Sequence, residues 1–398
     1  MTSKSFDWRD LSVILLLFGV HFLVWWAVSP IPGETPTFIG VRGVRELWVF
    51  SAIVSLVAFH IRKQSPWVCA FLVWLSIVGL YQVLWFGRPY VFTYFDIMYA
   101  VILALWMVYS QRLHAKKMAY LLVLIALINV LWVLFQFGEI DPVWRQLMSQ
   151  ELAWNLRPAG WLDNNSNLAH FLAMIVPLAM AMSWWLVIPI AIPILLATKT
   201  LPIIGAVLGI IVAKRWWYRG IVLCLIAATY IGVYDPPRYA DTVRAVVIKH
   251  SLWLANKSPI FGFGPGSFKR YFPYYLANYP HMLGEMQVRD PATDKHHRAK
   301  RMPTHTEIFH HPSNEAVKAI FEMGWPSLAI ILGWIIYIGR KAKKTAAHRW
   351  RDAYAGASVA FLITMLGYQP LAVPPLAVSG LMVWGIYEGL ICRVKVKK

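Results

Sequence analysis

Residues 118–137 read MAYLLVLIALINVLWVLFQF, twenty positions without a single charge, directly after Lys116-Lys117. An α-helix needs about 20 predominantly apolar residues to cross the hydrocarbon core of a bilayer, and only a helix or a closed barrel can satisfy its backbone there. Working outward, comparable runs fall at about 11–28, 46–61, 67–86, 90–110, 168–182, 184–197, 201–213, 219–234, 315–338, 353–372 and 374–392. The pattern predicts an all-α polytopic membrane protein with about 12 transmembrane helices. The run at 201–213 is short for a full span and is expected to be tilted, irregular or re-entrant. No small-residue cleavage site precedes Ser29-Pro30, so the first run does not read as a cleavable signal.

Composition agrees. Of 398 residues, 59% are hydrophobic and 14% charged, against roughly 45–50% and about 25% in soluble domains. That excludes a water-soluble fold, and a disordered chain would need the opposite bias. Cys69, Cys224 and Cys392 are widely spaced and lie in or beside apolar runs, which argues against a disulfide framework or a Cys-rich metal site. Two regions are expected: residues 1–137 with helices 1–5, and residues 138–398 with a long hydrophilic loop at 235–313.

Charge sets the orientation. Lys4 and Arg9, Arg62-Lys63, Arg112 with Lys116-Lys117, Lys214-Arg215 with Arg219, Arg340–Arg351 and the tail Arg393–Lys398 hold 20 of the 38 Lys and Arg and occupy every second connection. Cytoplasmic loops are the basic ones, so both termini are expected in the cytoplasm. The other 18 then lie on or beside the outer face. Eleven fall in Asp235–Ser313, together with six acidic residues and seven of the twelve histidines. One explanation is a solvated basic loop. The alternative is an anionic ligand outside, with phosphate the natural target for Arg-rich recognition; nucleic acid is not expected.

Four outer segments carry polar residues suited to chemistry. In the first, Arg157-Pro-Ala-Gly-Trp-Leu-Asp-Asn-Asn-Ser-Asn167, capping of the next helix explains one or two of the five residues Asp163–Asn167. The surplus amides, Asn164 and Asn167 among them, suit hydroxyl-rich ligands. His170 follows one turn on and reads as a helix-packing histidine. In the second, Thr198-Lys199-Thr200, Lys199 is either an interfacial snorkelling lysine or an ammonium beside a phosphate. The third opens with an amphipathic helix predicted over 239–256 along the surface, with Ala245, Ile248, Leu252 and Ala255 on one face and Arg244 and Lys249 on others. It continues into Ser258-Pro-Ile-Phe-Gly-Phe-Gly-Pro-Gly-Ser-Phe268, a turn whose main-chain N–H groups could face an anion, although such a turn often means only a turn. The fourth is His310-His311-Pro312-Ser313-Asn314-Glu315, where Ser313 or Asn314 caps the following span. The histidine spacing is poor for zinc, so no metal is expected. A histidine at this boundary suits a neutral base.

The order of these pieces resembles the O-antigen ligase/polymerase family of bacterial envelope glycosyltransferases. The resemblance runs over about Arg157 to Trp334. It rests on the Asn-rich stretch Asp163–Ala169, the turn before Leu201, Arg244 ahead of Pro259-Ile-Phe-Gly-Phe-Gly-Pro-Gly, and the His–Asn–Glu–Gly pattern from His311 to Gly324. It implies a GT-C-type fold with a long periplasmic loop in the bacterial inner membrane. It also implies transfer of a glycan from an undecaprenyl-pyrophosphate-linked donor to a sugar hydroxyl, the acceptor being another lipid-linked glycan, lipid A–core or sometimes a protein. No cofactor is implied; membrane lipids and a chain-length regulator are the further partners. On this resemblance Arg244 and Lys199 stabilise the departing pyrophosphate, His311 is the general base, and Arg157, Asn164, Asn167, Asn314 and Lys249 hold substrate. The chain departs from the ligase pattern in having Lys199 where an Arg is usual and Ser313 where the residue before the motif Asn is commonly His. These departures favour polymerisation over lipid A–core ligation. Competing readings are a flippase for lipid-linked sugars and a non-catalytic scaffold that binds anionic lipids.

Overall fold

A computed structural model describes residues 91–138, 140, 160–162, 165–197, 199–215, 239–268, 272, 314–368 and 370–392, with positions 67, 70, 71, 73–75, 77, 78 and 81. Every regular element among these residues is helical. In chain order they are α1 (Val91–Ser110), α2 (Ala115–Phe137), α3 (Asn165–Met182), α4 (Val187–Leu196), α5 (Thr200–Lys214), α6 (Tyr239–Ala255), α7 (Glu315–Met323), α8 (Trp325–Lys343), α9 (Arg349–Gly367) and α10 (Pro374–Cys392). Short 3-10 turns at Trp184–Leu186 and Pro370–Ala372 precede α4 and α10. The predicted spans at 11–28, 46–61 and 219–234 lie outside the described residues.

Three of these helices, α2, α3 and α10, are long and apolar enough to cross a membrane. At about 1.5 Å per residue, α5 is shorter than a hydrocarbon core, as its run suggested. The apolar surfaces sort into two kinds. In α3, every residue from Asn167 to Ala179 is buried, the mark of a helix enclosed on all sides. On α2, by contrast, Tyr120, Leu124, Leu131, Leu134 and Phe137 form an exposed stripe at helical spacing. On α4, Ile188, Ile192, Leu195 and Leu196 are exposed likewise. Apolar stripes of this length are unfavourable against water and natural against lipid.

The core is a triangle of α3, α5 and α9. Small residues allow its close approach. A β-carbon at Gly209 would lie 2.9 Å from both the Gly356 carbonyl oxygen and Pro177 Cγ, and one at Gly356 would lie 2.2 Å from the Gly209 oxygen. Van der Waals packing of small residues is the main source of helix association in lipid. Pro177 sits inside α3, where it cannot donate to the preceding turn; its ring fills the space that Gly209 leaves open. Gly205 faces Ala360 and Gly209 faces Gly356, so α5 and α9 run antiparallel. His170 lies against Thr364 and Pro177 lies near Gly356 through Gly209, so α3 is antiparallel to α9 as well and parallel to α5.

This register gives the bundle two chemically distinct ends. At one, the Arg349 guanidinium donates to Ala181 O and to Met182 O at 3.0 Å, closing the C-terminus of α3. Arg215 pairs with Asp352 at 3.1 Å, the Tyr354 hydroxyl donates to Ala115 O at 2.9 Å, and the Lys341 ammonium meets Cys392 Sγ at 3.6 Å. The basic connections at Arg112–Lys117, Lys214-Arg215 and Arg340–Arg351 therefore meet at one end, as their alternation in the sequence requires. The N-termini of α3, α5 and α7 gather at the other.

Two helix boundaries and the buried face of one helix differ from the sequence expectation. The run 315–338 is two helices, because Gly324 takes φ 75° and ψ 174° and Pro326, favoured in a first helical turn, starts α8 anew. The run at 353–372 shifts: α9 begins at Arg349, where His348 Nδ1 accepts from the Arg351 N–H, and ends at Gly367, whereas the last run, 374–392, is α10 as expected. On α6 the buried face is Val247, His250, Ser251, Leu254 and Ala255, with Ile248 and Leu252 only half-buried. It packs against α7, so a protein partner rather than the Ile248–Leu252 stripe sets its rotation.

Gly356→Ala is expected to force α5 and α9 apart at a cost of about 1–3 kcal/mol, read as a lower thermal midpoint in detergent. The same change at Gly339, which has nothing within 4 Å, should leave the midpoint unchanged or raise it, since alanine is worth about 1 kcal/mol over glycine inside a helix.

Candidate functional site

The polar end is built from the first turns of α3, α5 and α7 and the last turn of α9. Asn314 caps α7: its Oδ1 accepts the Val317 N–H at 3.0 Å, and its Nδ2 donates to Leu366 O on α9. One carboxamide thus starts a helix and ties it to its neighbour. The next residue, Glu315, is 6% exposed, and its carboxylate accepts the Leu371 N–H at 3.1 Å, holding the 3-10 turn that leads into α10. A carboxylate also suits the positive end of the α7 dipole.

On α3, Asn167 is 1% exposed and its Oδ1 accepts the Tyr368 hydroxyl. The Tyr368 ring stacks on His170, centroids 4.5 Å apart at 23°. His170 Nδ1 lies 3.2 Å from Thr364 Oγ1. The single hydroxyl proton of Thr364 goes to Ala360 O at 3.0 Å, so Oγ1 must accept from His170, and Nδ1 carries the proton. The histidine is a packing residue, as its position in the sequence suggested, and it also fixes the tyrosine that holds Asn167.

Lys199 occupies the N-cap position of α5 with extended φ −114°, ψ 123° and no side-chain capping bond. A lysine there offers no acceptor to the free N–H groups and places a cation at the positive end of the helix dipole. Helix stability therefore does not account for it. The register that sets Gly209 beside Pro177 puts Lys199 level with Asn167, and the α5–α9 pairing puts it level with the final turn of α9, to which Asn314 is bound. Three residues nominated from separate segments, Asn167, Lys199 and Asn314, thus share one end of the core.

The glycine-rich turn has a different task from the one its composition suggested. A helix leaves its last four carbonyls without intrahelical partners. In α7 these are Ile320, Phe321, Glu322 and Met323. They receive, in order, the N–H of Gly324 at 2.9 Å, Phe263 at 2.9 Å and Gly264 at 2.7 Å, and the Trp74 indole N–H at 2.9 Å. The Phe268 N–H points to the Glu322 carboxylate at 3.4 Å. The Phe263 and Gly264 N–H groups therefore cap a helix, and the Phe268 N–H turns to a carboxylate of the same helix. Gly262 and Gly324, both at positive φ, make the fit possible: a β-carbon on Gly262 would lie 2.5 Å from the Glu322 carbonyl carbon, and one on Gly324 would lie 1.9 Å from Ile260 O. Phe263, Phe268 and Phe272 then cluster around Phe321.

Of the remaining nominated residues, Arg157, Asn164 and His311 lie outside the described residues. Arg244 is in α6, the helix packed on α7, and Lys249 is exposed on the same helix. Among the described residues no group of three or more His, Cys, Asp or Glu is close enough to hold a metal. Sequence reasoning missed Tyr368 and Thr364 because both lie within an apolar run taken as one span. The signal was Tyr368-Gln369-Pro370, where a proline two positions after a tyrosine ends the helix. Chemically, the end offers three helix N-termini, which favour negative charge, with amides, hydroxyls, the lysines Lys199 and Lys318 and the Glu315 carboxylate already held by the Leu371 N–H: a combination suited to an anionic, hydroxyl-rich ligand. Compared with models of known protein families and with curated proteins, the chain matches none.

Asn314→Ala should cost about 1 kcal/mol through the lost cap and release α7 from α9, lowering the thermal midpoint. Asn314→Asp keeps an acceptor for Val317 and should recover only part of the loss. Tyr368→Phe leaves the buried Asn167 oxygen without this donor and should cost about 1–3 kcal/mol in the same melt.

Proposed function

We propose that the chain is a membrane glycosyltransferase of the O-antigen ligase/polymerase type, moving a glycan from undecaprenyl pyrophosphate to a sugar hydroxyl as a surface polysaccharide polymerase. In this proposal it spans the bacterial inner membrane about twelve times in a GT-C-like arrangement. Both termini and the basic end of the bundle are cytoplasmic, and the polar end is periplasmic. The observation that carries the reading is the meeting of Asn167, Lys199 and Asn314 beside three helix N-termini, opposite the basic end. Ion-coupled transporters place their binding groups near mid-membrane; here Asn167, Lys199 and Asn314 lie at one end of the core.

The chemistry asks for stabilisation of a departing diphosphate while a hydroxyl attacks the anomeric carbon. The bond from that carbon to the pyrophosphate oxygen breaks with its electron pair on the phosphate. The acceptor oxygen forms the new glycosidic bond, and its proton passes to His311. Lys199, Arg244 and Arg157 bind the phosphates more tightly as charge accumulates on them, and loss of one such donor costs roughly 10²–10³ in rate. General base catalysis by His311 contributes about 10²–10⁴. Asn167 and Asn314 hold the frame around these groups, and Asn164 and Lys249 extend it toward the sugar chain.

Arg244→Ala and His311→Ala are expected to abolish long-chain glycan in a deletion host while the protein still accumulates in the membrane. Gel analysis of surface glycans reads the outcome. A deletion strain that retains a single repeat on its acceptor supports polymerisation, whereas accumulation of unattached polymer on its carrier reassigns the chain to ligation. Chains of normal length in both variants would remove the roles given to these two residues.

A further inference from the structure

At the basic end, a cavity of about 280 Å³ opens between α3, α5 and α9, with Pro177, Met180, Lys214, Arg349 and Asp352 in its wall. At about 30 Å³ per water, it has room for a phosphate ester with several waters. We propose that it binds the phosphate of an anionic membrane phospholipid. This site is independent of the transfer chemistry proposed above and lies at the opposite end of the core.

Charge is the first argument. The Lys214 ammonium has no hydrogen-bond or ion-pair partner among the described residues. Arg349 uses Nε and Nη2 on the two carbonyls that end α3, so its Nη1 amino group keeps both hydrogens for a ligand. The carboxylate in the wall does not oppose an anion: Asp352 takes Arg215 at 3.1 Å and Arg351 at 3.1 Å and accepts the His348 N–H at 3.3 Å, so it is already compensated twice. Helix physics explains Lys214 and Arg349, cations at the C-termini of α5 and α3, but not Arg351, which puts a further cation in the first turn of α9 against its dipole. Arg215 is the one non-glycine residue at positive φ among the described residues, at 54°. The chain adopts this uncommon conformation where its guanidinium reaches Asp352.

Position is the second argument. Just past the end of α3, Trp184 and Trp185 are 57% and 63% exposed, and tryptophans of this kind sit at the headgroup level of a bilayer. From them the exposed Ile188 and Ile192 of α4 continue the surface on which an acyl chain would lie. Basic pockets between membrane helices on the cytoplasmic side bind lipid headgroup phosphates. A soluble phosphate would use the cations alone and gain nothing from the apolar flank.

The test uses the full chain purified in a non-ionic detergent and follows its thermal midpoint during titration with dioleoyl-phosphatidylglycerol, dioleoyl-phosphatidylcholine or sodium phosphate. The anionic lipid should raise the midpoint in a saturable way, with little response to the other two. Lys214→Ala should weaken the apparent affinity about five-fold, the worth of one lysine near an anionic headgroup, and Lys214→Glu more. Lys343→Glu reverses an equally exposed charge at the same end but outside the cavity wall, and should leave affinity within about two-fold of the parent. Equal losses from Lys214→Glu and Lys343→Glu would overturn the site in favour of diffuse surface charge. Equal stabilisation by phosphatidylcholine would do the same. A matching response to sodium phosphate alone would overturn the lipid as its source.

Discussion

Backbone contact between Gly209 and Gly356 is the constraint from which the rest of the described structure follows. With hydrogen in place of side chains, α5 and α9 touch main chain to main chain, and the ring of Pro177 closes the third side. That contact fixes register as well as distance. Once Gly209 faces Gly356, the start of α5 must lie beside the end of α9, and the start of α3 beside both. The polar end and the basic end are consequences of this arithmetic. Lys199 and Asn167 come together because each is the same number of turns from the glycine–proline contact.

A second constraint acts at α7. This helix is nine residues long, far below the length at which an isolated helix holds together in water. It survives because both termini are provided for. Asn314 and Glu315 bind its beginning to α9 and the turn before α10, and the glycine-rich turn supplies donors to the carbonyls at its end. Positive φ at Gly262 and Gly324 lets the two backbones approach closely enough for those bonds, and the phenylalanine cluster around Phe321 seals them. A sharp break between α7 and α8 follows, so the apolar run there does not cross in one piece.

How much of this the sequence disclosed depended on the range of the forces involved. The apolar helices and their boundaries to within a few residues were legible, because each is set by local hydropathy and by caps such as Asn314. The meeting of basic connections at one end was legible too, from their alternation. Lys199 and Asn167 were visible as polar residues out of place at helix starts. What escaped was set by partners distant in the chain. Tyr368 reads as one more aromatic residue in an apolar run until α3 brings Asn167 to its hydroxyl. The N–H groups at Phe263 and Gly264 look open to a ligand until α7 arrives more than fifty residues later and takes them. The rotation of α6 failed for the same reason: Val247 and Leu254 turn inward because α7 is there, while a pattern read along one helix favoured Ile248 and Leu252.

The contact of the glycine-rich turn with α7 has one more effect. Phe268 and Phe272 pack on Phe321 near the end of α7 and Asn314 caps its beginning, so residues 272 and 314 are both fixed to one short helix. Doubling the length of a chain segment between two fixed points costs only about 0.6 kcal/mol in closure entropy, so α7 and the phenylalanine cluster should hold unchanged if residues were inserted between positions 272 and 311.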